Sequence, residues 1–312
     1  MRAVLLITLC FFIQACMKEP VDAVTNCGLG ENQLGNFVVV PAGKLVGGRV
    51  DDSPSDILNT VQDIPSFLMQ VNEVTNLEFG RFVSETGYLT DAEQIANSAR
   101  VDAGSAIFVS PTTKPGDGAA NKKESAEVGW ILSKEATWRS PEGVDSSIEG
   151  KALNPVVHVS LNDARAYAEW ADARLPSELE WQHAASLGLF DQEDEASGAY
   201  TADGVPRANT WQGVFPLFNT NEDGFREHAP VGCFDENEVG VYDMIGNVWE
   251  WTETPIDSRS FVIKGGSFLC ADNFCRRYRP TARESQESDF STNHIGIRLV
   301  KDLERSYSSK GF

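Results

Sequence analysis

Apolar residues recur at helical spacing in three segments of the chain, and the same polar signal precedes each one. A hydroxyl residue stands three positions before a carboxylate in Thr75 and Glu78, in Ser160 and Asp163, and in Ser177 and Glu180. Such a pair can satisfy the free amides of the first turn of a helix. The apolar positions that follow are spaced as on one buried helix face: Leu77, Phe82 and Val83, then Ala164, Tyr167, Ala168 and Ala171, then Trp181, Ala184 and Ala185. The pattern therefore predicts three helices whose apolar stripes face a core.

Strand signals are short and lie between stretches of coil. Residues 37–40 form an apolar run that stops at Pro41, which predicts a strand followed by a turn. Between Asn97 and Asn154 no period is sustained, and loops of this length are usually functional or disordered. From Asn209 onward, Gly, Asn, Asp and Trp are frequent and apolar runs are as short as 295–297. The pattern predicts an irregular, loop-rich α+β body with little regular secondary structure.

The overall composition indicates a folded protein with an acidic surface. The 312 residues are 41% hydrophobic and 10% aromatic, which is ample for a packed core. The formal net charge is −20, so the surface repels phosphate backbones and anionic lipid headgroups. This argues against a nucleic-acid partner and favours cations and neutral or basic polypeptides.

The N-terminus has the pattern of an export signal. Arg2 is followed by an apolar run over 3–13 and then by Ala15 and Cys16. The run is too short to span a bilayer but fits a secretory signal. A small residue before cysteine resembles a bacterial lipoprotein box, so residues 1–16 predict an exported, periplasmic or cell-surface lipoprotein with lipidated Cys16. Ordinary signal cleavage near Ala15 is the alternative.

No interior linker divides the rest of the chain. Residues 17–35 are polar and predict a tether, residues 36–302 predict one folded domain, and residues 303–312 form a C-terminal tail. Contact with the membrane is then expected through the N-terminal lipid alone.

Cys270 and Cys275 stand close together behind a Gly-Gly-Ser turn. In an exported protein, nearby cysteines by default form a disulfide. Zinc is poorly supported because a closed zinc site needs four nitrogen or sulfur ligands, and the four histidines are scattered. Two thiolates suit Cu(I), and the flanking basic residues would favour the thiolate form: Arg276, Arg277 and Arg279. A disulfide, a two-thiolate copper site and a redox-active pair all remain open.

Two further stretches are rich in oxygen ligands. One runs over 209–225 and the other over 242–251, where acid and amide side chains surround glycine turns. Calcium takes six to eight hard oxygens from carboxylates, amides and main-chain carbonyls. Neither stretch has the EF-hand spacing. Taken alone, such stretches are more often simple turns.

The C-terminal third carries a family resemblance. The segments GNVWEWTET, VIKGGSFLCADNFCRRYRPTAR and HIGIRLV resemble the formylglycine-generating enzymes, also called sulfatase-modifying factors. The likeness extends upstream through VPAG, NEVTNLEFGRFVSETGYLTDAE, TWRSPEG, NPVVHVSLNDARAYAEWADARLPSELEW, ANTWQGVFP and NTNEDGF. It covers about 36–302, and its most specific part is the Cys-x4-Cys segment, which non-catalytic relatives commonly lack.

The resemblance implies a fold, a reaction and a set of ligands. The implied fold is the irregular α+β one related to C-type lectins. The implied activity is oxidation, with O2, of a cysteine in an unfolded or extended sulfatase segment of the Cys-x-Pro-x-Arg kind to Cα-formylglycine, and a monomer is expected. Cys270 and Cys275 match the ligands of a linear Cu(I) site that admits the substrate thiolate, and Ser267 and Trp249 match residues that line its pocket. Two structural calcium sites carry over, one to Asn209, Thr210, Asp223 and Phe225 and the other to Asp243, Gly246, Val248 and Glu250.

The chain departs from the family pattern at a few positions. Asp243 stands where the animal enzymes have Asn and still offers an oxygen ligand. Pro280 and Leu299 replace two cysteines of the animal disulfides, so stability is expected to rest on packing and calcium. Cys27 and Cys233 have no assigned role.

Two rival functions remain on the same scaffold. One is a non-catalytic, lectin-like binding lipoprotein, since one scaffold hosts many functions. The other is iron-dependent sulfoxide formation, which needs a histidine-rich iron site that this chain is not expected to form.

Overall fold

The structure is a computed structural model that describes residues 27–46, 61–99, 103–109, 129–188, 198–275 and 277–303. Within these ranges the chain forms four helices and thirteen short strands. The helices are α1 (Asn76–Thr86), α2 (Asp91–Ala96), α3 (Leu161–Trp170) and α4 (Glu178–Ser186). The strands are β1 (Phe37–Val40), β2 (Gly43–Val46), β3 (Val61–Ile64), β4 (Phe67–Gln70), β5 (Ser105–Val109), β6 (Gly129–Ser133), β7 (Gly213–Val214), β8 (Phe218–Asn219), β9 (Trp249–Pro255), β10 (Ser260–Lys264), β11 (Glu284–Glu287), β12 (Ile295–Gly296) and β13 (Val300–Asp302).

In the described part of the chain the strands form five small sheets. The two larger sheets have the orders β1-β4-β13 and β11-β10-β9-β12, and the remaining strands pair as β2-β3, β5-β6 and β7-β8. Most pairs are antiparallel, but β12 runs parallel to β9. Long irregular segments join these sheets, so the predicted loop-rich α+β fold is confirmed.

The three predicted helices are present, and each begins at the predicted capping residue. In α1 the Thr75 hydroxyl accepts from the Glu78 amide at 3.2 Å, while the Glu78 carboxylate accepts from the Thr75 amide at 2.9 Å. A fourth helix, α2, begins with the same kind of box at Thr90, which the apolar pattern had not indicated. Leu77 is half-buried instead of facing the core, and Phe79 is fully buried in its place.

The core lies between the helices and the four-stranded sheet. Helix α4 packs against β9 and β10, and α1 packs against α3. Trp181 of α4 is fully buried, and its indole N–H donates to Glu250 of β9 at 2.6 Å. These contacts fix the ends of β9 and β10, where the predicted functional residues lie.

The N-terminal part of the described chain departs from the prediction. Residues 27–35 were predicted to belong to a tether, but Cys27 forms a disulfide with Cys233 and Leu29 is buried. The Leu29 amide also donates to the Val231 carbonyl at 2.9 Å. Residues 27–35 therefore belong to the folded body, and this disulfide, which the sequence did not indicate, joins them to it. The predicted signal, Cys16 and the tail beyond residue 303 lie outside the described residues.

The stretch between 97 and 154 also contains more structure than predicted. Strand β5 pairs with β6 from Ser105 opposite Ser133 to Val109 opposite Gly129. Residues 110–128, which join them, lie outside the described ranges. In the part of the chain that the structure describes, no helix is both long and apolar enough to cross a bilayer.

Candidate functional site

A glycine pair turns the chain sharply at the end of β10. Gly265 and Gly266 have φ angles of 98° and 73°, which side-chain-bearing residues rarely adopt. A Cβ on Gly266 would lie 2.7 Å from the Tyr278 Cα, so glycine is also required by close approach of the backbone. The turn delivers Ser267 and Cys270 into the core, where both are buried.

Cys270 and Cys275 meet at the end of this turn with their sulfur atoms 3.0 Å apart, and neither is in a disulfide. The Cys275 amide donates to the Ala271 carbonyl at 3.0 Å, which curls the segment so that the two side chains face each other. Cys270 is buried, whereas Cys275 is half-buried. The structure thus brings the two predicted cysteines together as a thiol pair with one sulfur nearer the surface.

The two thiols differ in acidity. A hydrogen bond from Cys270 lowers the pKa of Cys275 to about 7, and the nearby Arg277 adds to this effect. Burial raises the pKa of Cys270, although a hydrogen bond from Ser267 opposes the shift. Cys275 is therefore the sulfur that ionises near neutral pH. Arg277 acts in the predicted direction, while Arg276 lies outside the described residues.

The two predicted pocket residues, Ser267 and Trp249, are both buried. Trp249 is buried in the same core cluster as Cys270 and Tyr278, and its amide donates to the His294 carbonyl at 2.8 Å. The Ser267 hydroxyl lies against Cys270 and also accepts from the Leu269 amide at 3.3 Å. Ser267 therefore adjoins the buried sulfur, and Trp249 lies in the core cluster that includes Cys270.

An aromatic strip, formed by Phe274, Phe215, Phe108 and Trp130, leads outward from the cysteines. Phe274 stacks on Phe215 with ring centroids 4.4 Å apart, and Phe215 stacks on Phe108 at 5.1 Å. Trp130 meets Phe108 edge-on at 5.4 Å. Phe274 is 69% exposed and directly precedes Cys275, so the strip offers apolar surface beside the more accessible sulfur. Only the position of Phe274 inside the Cys-x4-Cys segment could have signalled this strip in the sequence.

The first predicted calcium segment is assembled around Asp223. The Asp223 carboxylate accepts from the amides of Thr210 at 3.1 Å and Phe225 at 2.9 Å, and from the Gln212 side chain at 2.8 Å. Burial raises the pKa of Asp223 to about 6. Three of the four predicted ligands are therefore neighbours, and Gln212 is an additional polar group that the sequence did not single out.

The fourth residue, Asn209, joins this segment to the second one. Its carbonyl accepts from the Asn247 amide at 2.8 Å, and its side-chain amide donates to the Asn247 side chain at 3.0 Å. A Cβ on Gly246 would lie 2.2 Å from the Asn209 carbonyl oxygen, so only glycine allows this approach.

The second predicted segment lies in a buried cluster of charge that the sequence did not reveal in full. Asp243 accepts from the Gly232 amide at 2.6 Å, and Glu250 receives bidentate hydrogen bonds from Arg298. Glu73 completes the cluster, since its carboxylate accepts from the Asn247 side chain at 2.7 Å. Sequence alone gave no signal for Glu73, because it follows β4 outside both oxygen-rich stretches.

The charges of this cluster do not balance. Glu73, Asp243, Glu250 and Arg298 are all buried, so three carboxylates face one guanidinium. Burial and the neighbouring Asp243 and Glu250 raise the pKa of Glu73 well above its usual range. Buried charge without a partner is costly, so the cluster needs protons or a cation. A divalent cation would bring the formal charge of the ionised cluster to zero, which fits calcium at the second predicted site.

Among the described residues, no group of three or more His, Cys, Asp or Glu side chains has the spacing of a metal site. The predicted calcium ligands are largely amide and carbonyl oxygens, which such a grouping does not include.

Comparison with known proteins identifies the family. Residues 27–303 match the sulfatase-modifying factor enzyme 1-like domain. The chain is 39% identical over 290 residues to the formylglycine-generating enzyme of Thermomonospora curvata, with 85% of this chain and 93% of that protein covered. It is also 35% identical to the inactive C-alpha-formylglycine-generating enzyme 2 of Bos taurus, with 89% of this chain and 91% of that protein covered.

A solved structure agrees on the fold. The structure of PvdO from Pseudomonas aeruginosa superposes with a TM-score of 0.54 at 21% identity and covers 86% of this chain and 94% of that one. The chain therefore belongs to the sulfatase-modifying factor enzyme 1-like family.

Proposed function

We propose that this chain is a formylglycine-generating oxidase that uses Cu(I) and O2 to convert the cysteine of Cys-x-Pro-x-Arg segments in sulfatases to Cα-formylglycine. The observation that carries the proposal is the contact between the sulfurs of Cys270 and Cys275, 3.0 Å apart and not disulfide-bonded. The formylglycine-generating relatives, similar over most of the chain, support it.

The donor set suits a soft ion. Among the described residues no third His, Cys, Asp or Glu side chain joins the two thiol sulfurs in a metal-site grouping, and a donor set of two sulfurs matches the preference of Cu(I). When bound, copper would supply the O2 activation that acid–base side chains alone do not provide. Cys275 loses its proton near neutral pH, Ser267 hydrogen-bonds Cys270, and Trp249 belongs to the core cluster that contains Cys270. These residues hold the two sulfurs in place and restrict water from the interior side.

The surface around the pair suits an extended polypeptide. The aromatic strip beside Cys275 provides flat apolar area on which a proline ring can pack. The net charge of −20 attracts the arginine of the proposed motif toward the surface.

Calcium is proposed as a structural ion at two sites, one around Asp223 and one around Asp243. The unbalanced buried charge of Glu73, Asp243 and Glu250 supports the second site. Since most of the backbone here lies outside regular sheets and helices, bound cations would hold loops that have few other restraints.

Export and lipid anchoring at Cys16 are proposed from the N-terminal sequence. The disulfide between Cys27 and Cys233 supports an oxidising location. In the producing bacterium, Cys16→Ala should abolish fatty-acid labelling of the protein, and labelling that persists would refute the anchor.

The decisive experiment incubates the copper-loaded protein with a Cys-x-Pro-x-Arg peptide in air and measures the aldehyde product by mass spectrometry. We expect product with the wild type and none with Cys270→Ala or Cys275→Ala. A control is Cys27→Ser with Cys233→Ser, which removes two cysteines away from the pair and, assayed at a temperature where it is folded, should still form product. Absence of product with loaded wild type would favour the non-catalytic binding lipoprotein instead. Unchanged turnover in Cys270→Ala would refute the role proposed for the cysteine pair.

A further inference from the structure

The hairpin formed by β7 and β8 carries an apolar tip. Its side chains are largely in solvent: Val214 is 53% exposed, Leu217 62% and Phe218 46%. Single exposed apolar residues are ordinary, but three on one four-residue turn and its flanks form a patch. We call these three residues the apolar tip.

The apolar tip is not needed to hold the hairpin together. Gly213 pairs with Asn219 and Val214 with Phe218, and the Leu217 amide donates to the Val214 carbonyl at 2.7 Å. The Trp211 indole donates to the Phe218 carbonyl at 3.0 Å. These bonds use main-chain atoms or a neighbouring ring. The side chains of the apolar tip are therefore free for contact with another molecule.

The apolar tip is continuous with the cysteine site. Phe215, between Val214 and Leu217 in the turn, stacks on Phe274 at 4.4 Å, and its amide donates to the Asn273 side chain at 3.3 Å. Phe274 directly precedes Cys275. An apolar path thus runs from the accessible sulfur across two stacked rings to the apolar tip.

We infer that the apolar tip binds apolar residues of the substrate polypeptide that lie outside the Cys-x-Pro-x-Arg motif and so helps to determine which segments are modified. The inference rests on the proposed function and adds a specificity determinant to it. An extended chain advances about 3.3–3.6 Å per residue, so residues just beyond a five-residue motif emerge at the edge of the cysteine site. Unfolded polypeptides expose apolar side chains, and the continuity of the path favours this occupant over a surface unrelated to the cysteines.

The test uses the loaded enzyme and compares a motif peptide with Gly and Ser flanks against motif peptides flanked by Leu, Val and Phe. One apolar-flanked peptide carries these residues before the motif, and another carries them after it. We expect kcat/KM to be roughly tenfold higher for one apolar-flanked peptide, in line with the discrimination that apolar contacts give. The variant Val214→Ser, Leu217→Ser and Phe218→Ser should lose this preference and keep its rate on the Gly/Ser peptide within about twofold.

The matched control is Val205→Ser, an equally exposed apolar residue in another turn, which should keep the preference. Three results would overturn the inference: no preference in the wild type, a preference that survives in the triple variant, or an equal loss of rate on both peptides. Sedimentation of the wild type adds a fourth, since self-association that the triple variant abolishes would make the apolar tip a contact between copies.

A second readout separates this inference from the proposed function. If the loaded wild type converts neither peptide, binding of fluorescent apolar-flanked peptide by anisotropy still decides the role of the apolar tip. Binding that is roughly tenfold weaker in the triple variant and unchanged in Val205→Ser supports the inference even then. Equal binding by all three proteins contradicts it.

Discussion

Removal of the Cys27–Cys233 disulfide should destabilise the body measurably. The bridge joins residues 206 positions apart, so it closes residues 27–233 into one loop. The chain-entropy estimate for a loop of that length is about 5 kcal/mol, while measured values more often fall at 2–4 kcal/mol. The N-terminal segment keeps other contacts, including the hydrogen bond from Leu29 to Val231, so we expect a loss of about 2–5 kcal/mol.

The assay is urea unfolding at pH 7, followed by tryptophan fluorescence. For a domain of this size the slope is about 3 kcal/mol per M, so the double variant Cys27→Ser, Cys233→Ser should unfold at a midpoint lower by roughly 1 M. Reduction of the wild type with dithiothreitol should reproduce the shift, and the reductant should leave the variant unchanged. A midpoint that moves by less than about 0.3 M would show that the bridge does not restrain the unfolded chain as argued.

The same substitution should also weaken calcium binding at the second predicted site. Cys233 follows Gly232, whose amide holds the Asp243 carboxylate at 2.6 Å. Loss of the bridge frees this segment, so the variant should need more calcium than the wild type for the same thermal stabilisation.

Three further predictions concern charge and protonation. In the metal-free protein, iodoacetamide should label Cys275 with a midpoint near pH 7, because the pKa of this thiol is lowered to about 7. Cys270 should stay unlabelled until the protein unfolds, because burial raises its pKa. Equal labelling of both cysteines would contradict the assignment. Burial lowers the pKa of His158 to about 3. Below about pH 6.5 the unfolded chain therefore binds a proton at this residue and the native state does not, so the free energy of unfolding should fall as the pH drops. Asparagine tolerates the φ of 58° at this position. Between pH 7 and pH 5 the free energy of unfolding of His158→Asn, measured with urea, should therefore fall by about 2 kcal/mol less than that of the wild type. Equal decreases in the two proteins would refute the prediction. Calcium at a hundredfold excess over its dissociation constant should stabilise the protein by about 2.7 kcal/mol, and magnesium should stabilise it less. Glu73→Gln should reduce the stabilisation by calcium and should itself stabilise the metal-free form. Unfolding curves that do not change when calcium is added would exclude the second site.

Local features of the fold were predictable from sequence, whereas distant pairings were not. The helices that begin after Thr75, Ser160 and Ser177 follow from side chains that satisfy nearby amides, so the signal lies within four residues. The bridge between Cys27 and Cys233 depends instead on how the whole chain folds back, and no spacing rule encodes it.

The site divides in the same way. The contact between Cys270 and Cys275 was foreseeable because both lie in one short turn fixed by Gly265 and Gly266. The burial of Glu73 beside Asp243 was not, because a single acid after a strand looks the same in sequence whether it faces solvent or a buried guanidinium. Other acids of the described chain, such as Asp63 and Glu253, are exposed, and only tertiary packing distinguishes them from Glu73.

The paired hydrogen bonds between Asn209 and Asn247 connect the two oxygen-rich segments so directly that neither can shift alone. A cation that orders one segment therefore prepares the other, and by linkage the effect is equal in both directions. Titration of the two proposed sites should then be cooperative, so that the protein passes between an empty and a doubly filled form over a narrow range of calcium concentration.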